Sequence, residues 1–116
     1  MKYVKPISVT SALKKAGIHK QAGDWDEGFT VHAIDRINVP VPAGERRLSY
    51  RIAPDSRIAV RYHTSTGSWD ESRERRALRQ ADTDAKFQQV VNALTEAGFK
   101  VADVDFKARR LVVEQK

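Results

Sequence analysis

Basic side chains recur at strand spacing in the middle of the chain, where they would suit contacts with phosphate groups. Arg57, Arg61 and His63 lie at alternate positions, so a strand over residues 57–64 would point them to one side. Arg51 would join them from a neighbouring strand. Cations on the open face of a sheet can hold the phosphates of a single-stranded nucleic acid. The ordinary polar outer face of an antiparallel strand would show the same pattern.

A second group of arginines falls in a predicted helix. Arg75 and Arg79 are one helical turn apart and Arg76 is adjacent, which places the three cations within about 100° of helix surface. Such a strip would neutralise phosphates. The alternative is a solvated helix in which Glu71 and Arg75 form an ion pair four residues apart.

The overall charge makes a nucleic-acid partner, DNA or RNA, the leading expectation. Twenty-one Lys and Arg residues against fifteen Asp and Glu residues give a net charge of +6, and the isoelectric point is near 9.8. A domain isoelectric point above about 9 is typical of nucleic-acid-binding domains. The chain has no cysteine, which excludes disulfides, thiolate metal sites and cysteine nucleophiles.

No residue spacing indicates catalysis, a cofactor or a bound metal. His19, His32 and His63 have neither HxxxH spacing nor cysteine partners, which argues against a zinc site. Asp103 and Asp105 would share a strand face and suit Mg²⁺, but no third carboxylate stands at a recognisable distance. Phosphate-binding-loop, dinucleotide and hydrolase motifs are missing. We therefore expect a non-enzymatic protein without cofactor or metal, although a catalytic site assembled only in space would not be visible in the sequence.

Two tryptophans in polar loops favour a different function, contact with a protein partner. Trp25 lies between two aspartates and Trp69 follows Gly67-Ser68, and tryptophan is enriched in interface hot spots. The proline-rich stretch Val39–Pro42 would form an edge that accepts or avoids strand addition, and an exposed edge would permit a dimer. The alternative function is therefore a protein-binding module, an inhibitor or adaptor of a host or defence protein. Otherwise each tryptophan would fold back over the edge of the core.

The apolar pattern predicts the elements that would position these residues. Pro6 marks the opening segment, up to about Val9, as an extended arm or edge strand. A helix capped by Ser8, Thr10 or Ser11 would then end near residue 16. The predicted strands cover residues 29–33, 48–52, 57–64, 99–106 and 111–114. Residues 37–41 also alternate, but Pro40 and Pro42 make this segment an edge strand or an extended loop.

A long helical stretch from about residue 70 to residue 97 changes phase in its middle. Its second half is amphipathic, whereas Leu78, Ala81 and Ala85 lie on nearly the opposite side. The mismatch centres on residues 82–84. We expect either a break there or a first half that projects into solvent.

The phrase Ala-Leu-x-x-Ala-Gly occurs at residues 12–17 and again at residues 93–98, each time as a helix stop. The pattern predicts one α+β domain over residues 1–116, in the order α-β-β-(β)-α-β-β. An antiparallel sheet of about four to five strands would carry two main helices on one face. This arrangement is compatible with an internal duplication, and two unrelated helices that end in common helix-stop residues would show the same phrase.

The series of short motifs resembles that of small uncharacterised accessory proteins from actinobacteria and their phages. The motifs are a charged helix ending in ALxxAG and an aromatic residue, a GFxV strand, a VRYH-like strand and a closing LVV strand. In this chain they are Ala93–Phe99, Gly28–Val31, Val60–His63 and Leu111–Val113. The resemblance spans most of the chain, and it implies a bacterial or phage accessory role without implying an activity.

Apolar runs are short throughout the chain. None approaches the roughly 18 residues that a membrane helix needs, and the first residues lack the apolar segment of a secretory signal. We therefore expect a cytoplasmic protein that does not engage membranes.

Overall fold

The protein folds as two helices, a four-stranded antiparallel sheet and a separate two-stranded ribbon, which confirms the predicted α+β class. The computed structural model describes residues 3–23, 26–44, 49–64 and 71–115. In chain order the elements are α1 (Pro6–Lys15), β1 (Gly28–Ala33), β2 (Arg36–Asn38), β3 (Tyr50–Ile52), β4 (Ile58–His63), α2 (Arg73–Glu96), β5 (Lys100–Asp105) and β6 (Arg110–Glu114).

Helix α1 begins earlier than the sequence pattern predicts. The expectation of an extended arm through Val9 is wrong, because Pro6 stands in the first turn, where its missing N–H and fixed φ favour a helix start. Lys5 precedes the helix without a side-chain cap, so no serine or threonine cap is used. Val9 and Leu13 are fully buried, which anchors one face of α1 in the core.

Helix α2 runs without interruption through residues 82–84, so the expected break is wrong and the projecting first half is correct. The Ser72 hydroxyl caps it by accepting from the backbone N–H of Arg75 at 3.2 Å. Phe87 and Leu94 in the second half are fully buried, whereas Leu78 in the first half is 71% exposed. The two halves therefore need not share an apolar face, because only the second one packs on the sheet. No helix within the described residues has the length and apolar character needed to cross a membrane.

The four-stranded sheet has the order β1-β4-β6-β5, with every neighbouring pair antiparallel. Alternate residues of its strands point into a single apolar core shared with both helices. The helices therefore cover one face of the sheet and leave the other face open, as predicted. The buried apolar residues are Val9, Leu13, Ile18, Phe29, Ile58, Val60, Tyr62, Phe87, Val90, Leu94, Leu111 and Val113.

The sheet consists of two helix-plus-hairpin units placed side by side. One unit is α1 with β1 and β4, and the other is α2 with β5 and β6. Both helices end in the same way: Gly17 and Gly98 have φ of +82° and +89°, and the following residue donates to a leucine carbonyl at 3.1 Å. The repeated phrase thus produces the same helix stop twice.

The structure gives meaning to a second repeat in the sequence. Gly28–Val31 and Gly98–Val101 both read Gly-Phe-x-Val and both lead into the outer strand of a hairpin. The valines that end the two motifs occupy matching positions in the sheet. They pair as Val31 with Val60, and as Val101 with Val113.

This correspondence defines a pseudo-twofold axis at the centre of the sheet. If Val60 corresponds to Val113, then Ile58 corresponds to Leu111 and Ala59 to Val112. Ala59 and Val112 are themselves direct partners across β4 and β6, so the axis passes between these two residues. Their side chains point to the open face.

The division of α2 can be tested with two leucines. We expect Leu94→Ala to destabilise the protein by about 2–5 kcal/mol, because it leaves a cavity in the core. Leu78→Ala should change the free energy of unfolding by less than about 0.5 kcal/mol, because that side chain lies outside the core. Urea unfolding of both variants measures this, and equal losses would contradict a projecting first half.

Candidate nucleic-acid interface

The open face of the sheet carries Arg61 and His63 on the side of β4 opposite the core, as predicted. Along β4, Ile58, Val60 and Tyr62 are buried, while Arg61 is exposed and His63 partly exposed on the opposite side. The alternation holds because one face of the strand must enter the core.

Arg61 has a partner that the sequence did not reveal. It lies directly opposite Arg110 of β6, and both side chains are exposed. Neither forms an ion pair or side-chain hydrogen bond within the described residues. Like charges in this relation repel each other and destabilise a sheet. The alternation of Arg110, Val112 and Glu114 is the sequence signal that would have identified it.

A groove of about 710 Å³ lies beside this arginine pair. Ala59 and Val112, the residues at the pseudo-twofold axis, belong to its lining, and their modest size leaves space above the sheet. The side chains that bring polar chemistry to the groove are His32, Arg61, Asp103, Asp105 and Arg110.

A β-bulge brings both aspartates to the groove. The register of β5 and β6 shifts between Ala102 and Asp105, and Asp103 has a φ of +50°. The Oδ1 atom of Asp105 accepts from the backbone N–H groups of Lys107 at 3.0 Å and Ala108 at 3.1 Å. This aspartate stands opposite Arg110, yet it holds the turn instead of forming an ion pair with that arginine.

Arg57 is already occupied by a carboxylate. Its guanidinium donates to both oxygens of Asp35, at 2.9 and 3.2 Å, and its backbone N–H donates to Oδ2 at 2.7 Å. These bonds hold the pKa of Asp35 below its usual range and raise the pKa of Arg57. Arg57 therefore fastens the start of the ribbon to the sheet.

His63 sits beside the arginine pair at the end of β4. Its Nε2 atom and the Thr30 hydroxyl share a hydrogen bond of 2.8 Å. Burial, and secondarily the charge of Arg61, lowers the pKa of His63. The imidazole is therefore biased toward the neutral form near Arg61.

Arg51 does not lie beside β4, so its predicted place next to Arg57 and Arg61 is wrong. It lies in β3, which among the described strands pairs with β2 alone, and its direct partner is Ile37. The described residues between Ala33 and Ile58 leave the sheet to form the ribbon. Arg36 at its base stacks on Tyr50, 4.4 Å from the ring centre.

The helical arginines divide into two groups. Arg75 and Arg76 are exposed on the half of α2 that lies outside the core. Arg79 instead binds Glu71 at 3.2 Å and donates to the Thr64 hydroxyl at 3.1 Å. The predicted pairing of Glu71 with Arg75 is therefore wrong, because Glu71 precedes the helix and reaches Arg79.

A second cavity, of about 560 Å³, lies on the side of the helices. Here Lys86 binds Glu27 at 2.8 Å and Asp82 at 3.1 Å, and these carboxylates raise its pKa. Burial, with the charge of Glu27, raises the pKa of Tyr62. These ion pairs connect α2 to the residue that precedes β1. We therefore interpret the charged residues around Lys86 as structural and not as a binding site. The lining residues are Gly17, Ile18, His19, Asp26, Glu27, Tyr62, Lys86 and Gln89.

Trp25 and Trp69 lie outside the described residues. Among the residues that the structure describes, no group of three histidine or acidic side chains could hold a metal ion. Comparisons with protein-family models, curated proteins and solved structures give no match to this chain.

The charge of Arg61 should be detectable at His63. We expect Arg61→Ala to raise the pKa of His63 while leaving it below about 6.5, the ordinary value, because burial is unchanged. An NMR titration of the imidazole measures the shift. Arg110→Ala is the matched control and should leave the His63 pKa in place; no rise in Arg61→Ala would contradict the coupling.

The Asp35–Arg57 pair should stabilise the fold in a pH-dependent way. The lowered pKa of Asp35 means that its contribution is complete above the unfolded value of about 3.9 and is lost as pH falls through the folded value. Asp35→Asn should therefore unfold at lower urea than the parent at about pH 7, with the gap closing as the pH falls below about 4. A gap that persists in acid would assign the loss to hydrogen-bond geometry instead of charge.

Proposed function

We propose that the protein is a non-enzymatic accessory protein that binds nucleic acid mainly through phosphate contacts. The observation that carries this proposal is the pair Arg61 and Arg110, which stand directly opposite each other on the open face without a carboxylate partner among the described residues. The biological setting that we propose is the bacterial or phage one of the resembling proteins.

The unpaired state of these arginines supports an anionic ligand. Two like charges facing each other across neighbouring strands cost a fraction of a kcal/mol. A phosphate between them would replace this repulsion with charge-assisted hydrogen bonds, for which the guanidinium geometry is well suited. The phosphate would then bind most strongly at the position where two unpaired positive charges repel each other.

The exposed first half of α2 supplies further contacts in this proposal. Arg75 and Arg76 are exposed beyond the core and would meet phosphates elsewhere along a bound strand. Arg57 and Arg79 would contribute less, because each already binds a carboxylate. His63 would add a contact beside Arg61 but little charge, because its imidazole is biased toward the neutral form, and Arg51 would act from the ribbon.

Anisotropy titrations of labelled single-stranded DNA, duplex DNA and RNA test the proposal. Between about 50 and 200 mM salt, several phosphate contacts should cost orders of magnitude in affinity. Arg61→Ala combined with Arg110→Ala should weaken binding to a single strand and lower the salt slope by about 0.7 for each phosphate that is no longer neutralised. Arg75→Ala with Arg76→Ala should have a smaller effect of the same kind.

A matched control removes equal charge elsewhere. Lys14→Ala with Lys15→Ala also removes two cations, from the last turn of α1. If this control weakens binding as much as the sheet-face double variant, the net charge and not the open face binds nucleic acid. Absence of binding at the lower salt concentration would overturn the proposed function.

A protein-binding module is the second candidate, and the ribbon favours it. No residue of β2 or β3 is buried, and the apolar side chains of Ile37, Tyr50 and Ile52 are 38%, 51% and 44% exposed. Exposed apolar side chains on a projecting ribbon would suit a protein surface. The test is a pull-down with the parent and with Ile37→Ser plus Ile52→Ser, followed by rebinding of the purified partner. Equal capture by both proteins would contradict contact through the ribbon.

A further inference from the structure

The groove on the open face offers an apolar surface of the kind on which a planar ring could rest. Ala59 and Val112 lie side by side at the pseudo-twofold axis, and both line the groove. No large side chain projects from these two central positions. The groove volume of about 710 Å³ falls in the range of small-molecule sites.

The polar side chains around this surface carry both signs of charge. Arg61 and Arg110 lie one position further along the same face of their strands, and Asp103 and Asp105 approach from β5. No ion pair joins these opposite charges among the described residues, although Asp105 stands opposite Arg110 in the register of β5 and β6, and the charge of Asp103 acts on Arg57. Asp105 uses one oxygen to hold the turn, and Asp103 forms no hydrogen bond within the described part of the chain. The groove therefore suits a ligand that is anionic at one end and donates hydrogen bonds at the other.

We infer that the groove binds one nucleotide of a single-stranded nucleic acid, with its phosphate at Arg61 and Arg110 and an amino-bearing base over Ala59 and Val112. This inference rests on the proposed function and adds to it a base preference. Cytosine, adenine and guanine carry an exocyclic amino group, whereas thymine and uracil do not. Carboxylates accept hydrogen bonds from such amino groups.

A single strand is required because the base must leave its stack to reach the sheet. In a duplex the pairing edges are already engaged, while unpaired bases can be splayed out and read on those edges. The phosphate contacts alone would tolerate any base. The aspartates would therefore supply the discrimination and the arginines most of the affinity.

The test compares short homopolymers of deoxycytidine and thymidine at about 50 mM salt. We expect deoxycytidine to bind about fivefold or more tightly than thymidine, the difference that one good base contact supplies. The same pair made as cytidine and uridine RNA shows whether the groove also accepts ribose. Homopolymers of deoxyadenosine should also bind more tightly than those of thymidine, because adenine carries an exocyclic amino group.

Asp103→Asn is the diagnostic variant. Asparagine tolerates the positive φ at this position, so the bulge should persist. Loss of a negative charge should tighten binding of every oligonucleotide, but thymidine should gain more than deoxycytidine, so that the preference falls. Asp55→Asn is the control, because Asp55 is exposed in the turn before β4 and does not line the groove. It should leave the ratio unchanged.

The outcomes separate the two proposals. Equal binding of all homopolymers, with weaker binding in the Arg61→Ala and Arg110→Ala double variant, would overturn the base preference and leave the proposed function standing. A preference that Asp103→Asn does not reduce would overturn the role of the groove. No binding of any oligonucleotide would overturn both proposals.

Discussion

The pairing of β4 with β6 is the interaction on which the rest of the structure depends. It joins the strand pairs β1–β4 and β5–β6 into one sheet, so that both helices pack on a single core. Isolated hairpins of this size are marginal in water. The inward residues of the two strands, such as Val60 and Leu111, complete the core. The outward residues of the same strands form the arginine pair and the groove, so stability and the candidate site share one ladder of hydrogen bonds.

The second constraint is the unequal division of α2. Phe87 and Leu94 secure its second half to the sheet, and the buried Thr83 hydroxyl donates to the carbonyl of Arg79 at 2.8 Å at the point of exit. Before that point none of the helix residues is buried within the described part of the chain. The described residues therefore do not explain the length of the first half by packing, and Arg75 and Arg76 on it are exposed.

Much of the fold could be predicted because it follows from local pattern. The alternation along β4, the glycine helix stops and the amphipathic second half of α2 each reflect one buried face, which the sequence displays directly. The start of α1 could not be derived in the same way, since Pro6 suits both an edge strand and a first helical turn. For α2, the phase change showed that two faces were needed but not whether the helix breaks.

The candidate site was predicted only in part, because its members come from strands distant in sequence. Arg61 was found from its own strand, but Arg110 became its partner only through the register of β4 and β6. Arg51 was misplaced because nothing local distinguishes a strand of the main sheet from a strand of the ribbon.

The pseudo-twofold axis gives the open face of the sheet a direction. Under this symmetry Arg61 corresponds to Glu114, and Arg110 corresponds to Arg57, so the two ends of the open face carry different charges at corresponding positions. At one end the two arginines have no ion pair among the described residues, whereas at the other Arg57 and Glu114 bind Asp35 and Lys100. A nearly symmetric sheet thus carries charges that differ between its two ends. If a single-stranded nucleic acid binds along this face as proposed, it would be held in one chain direction and not in the reverse direction.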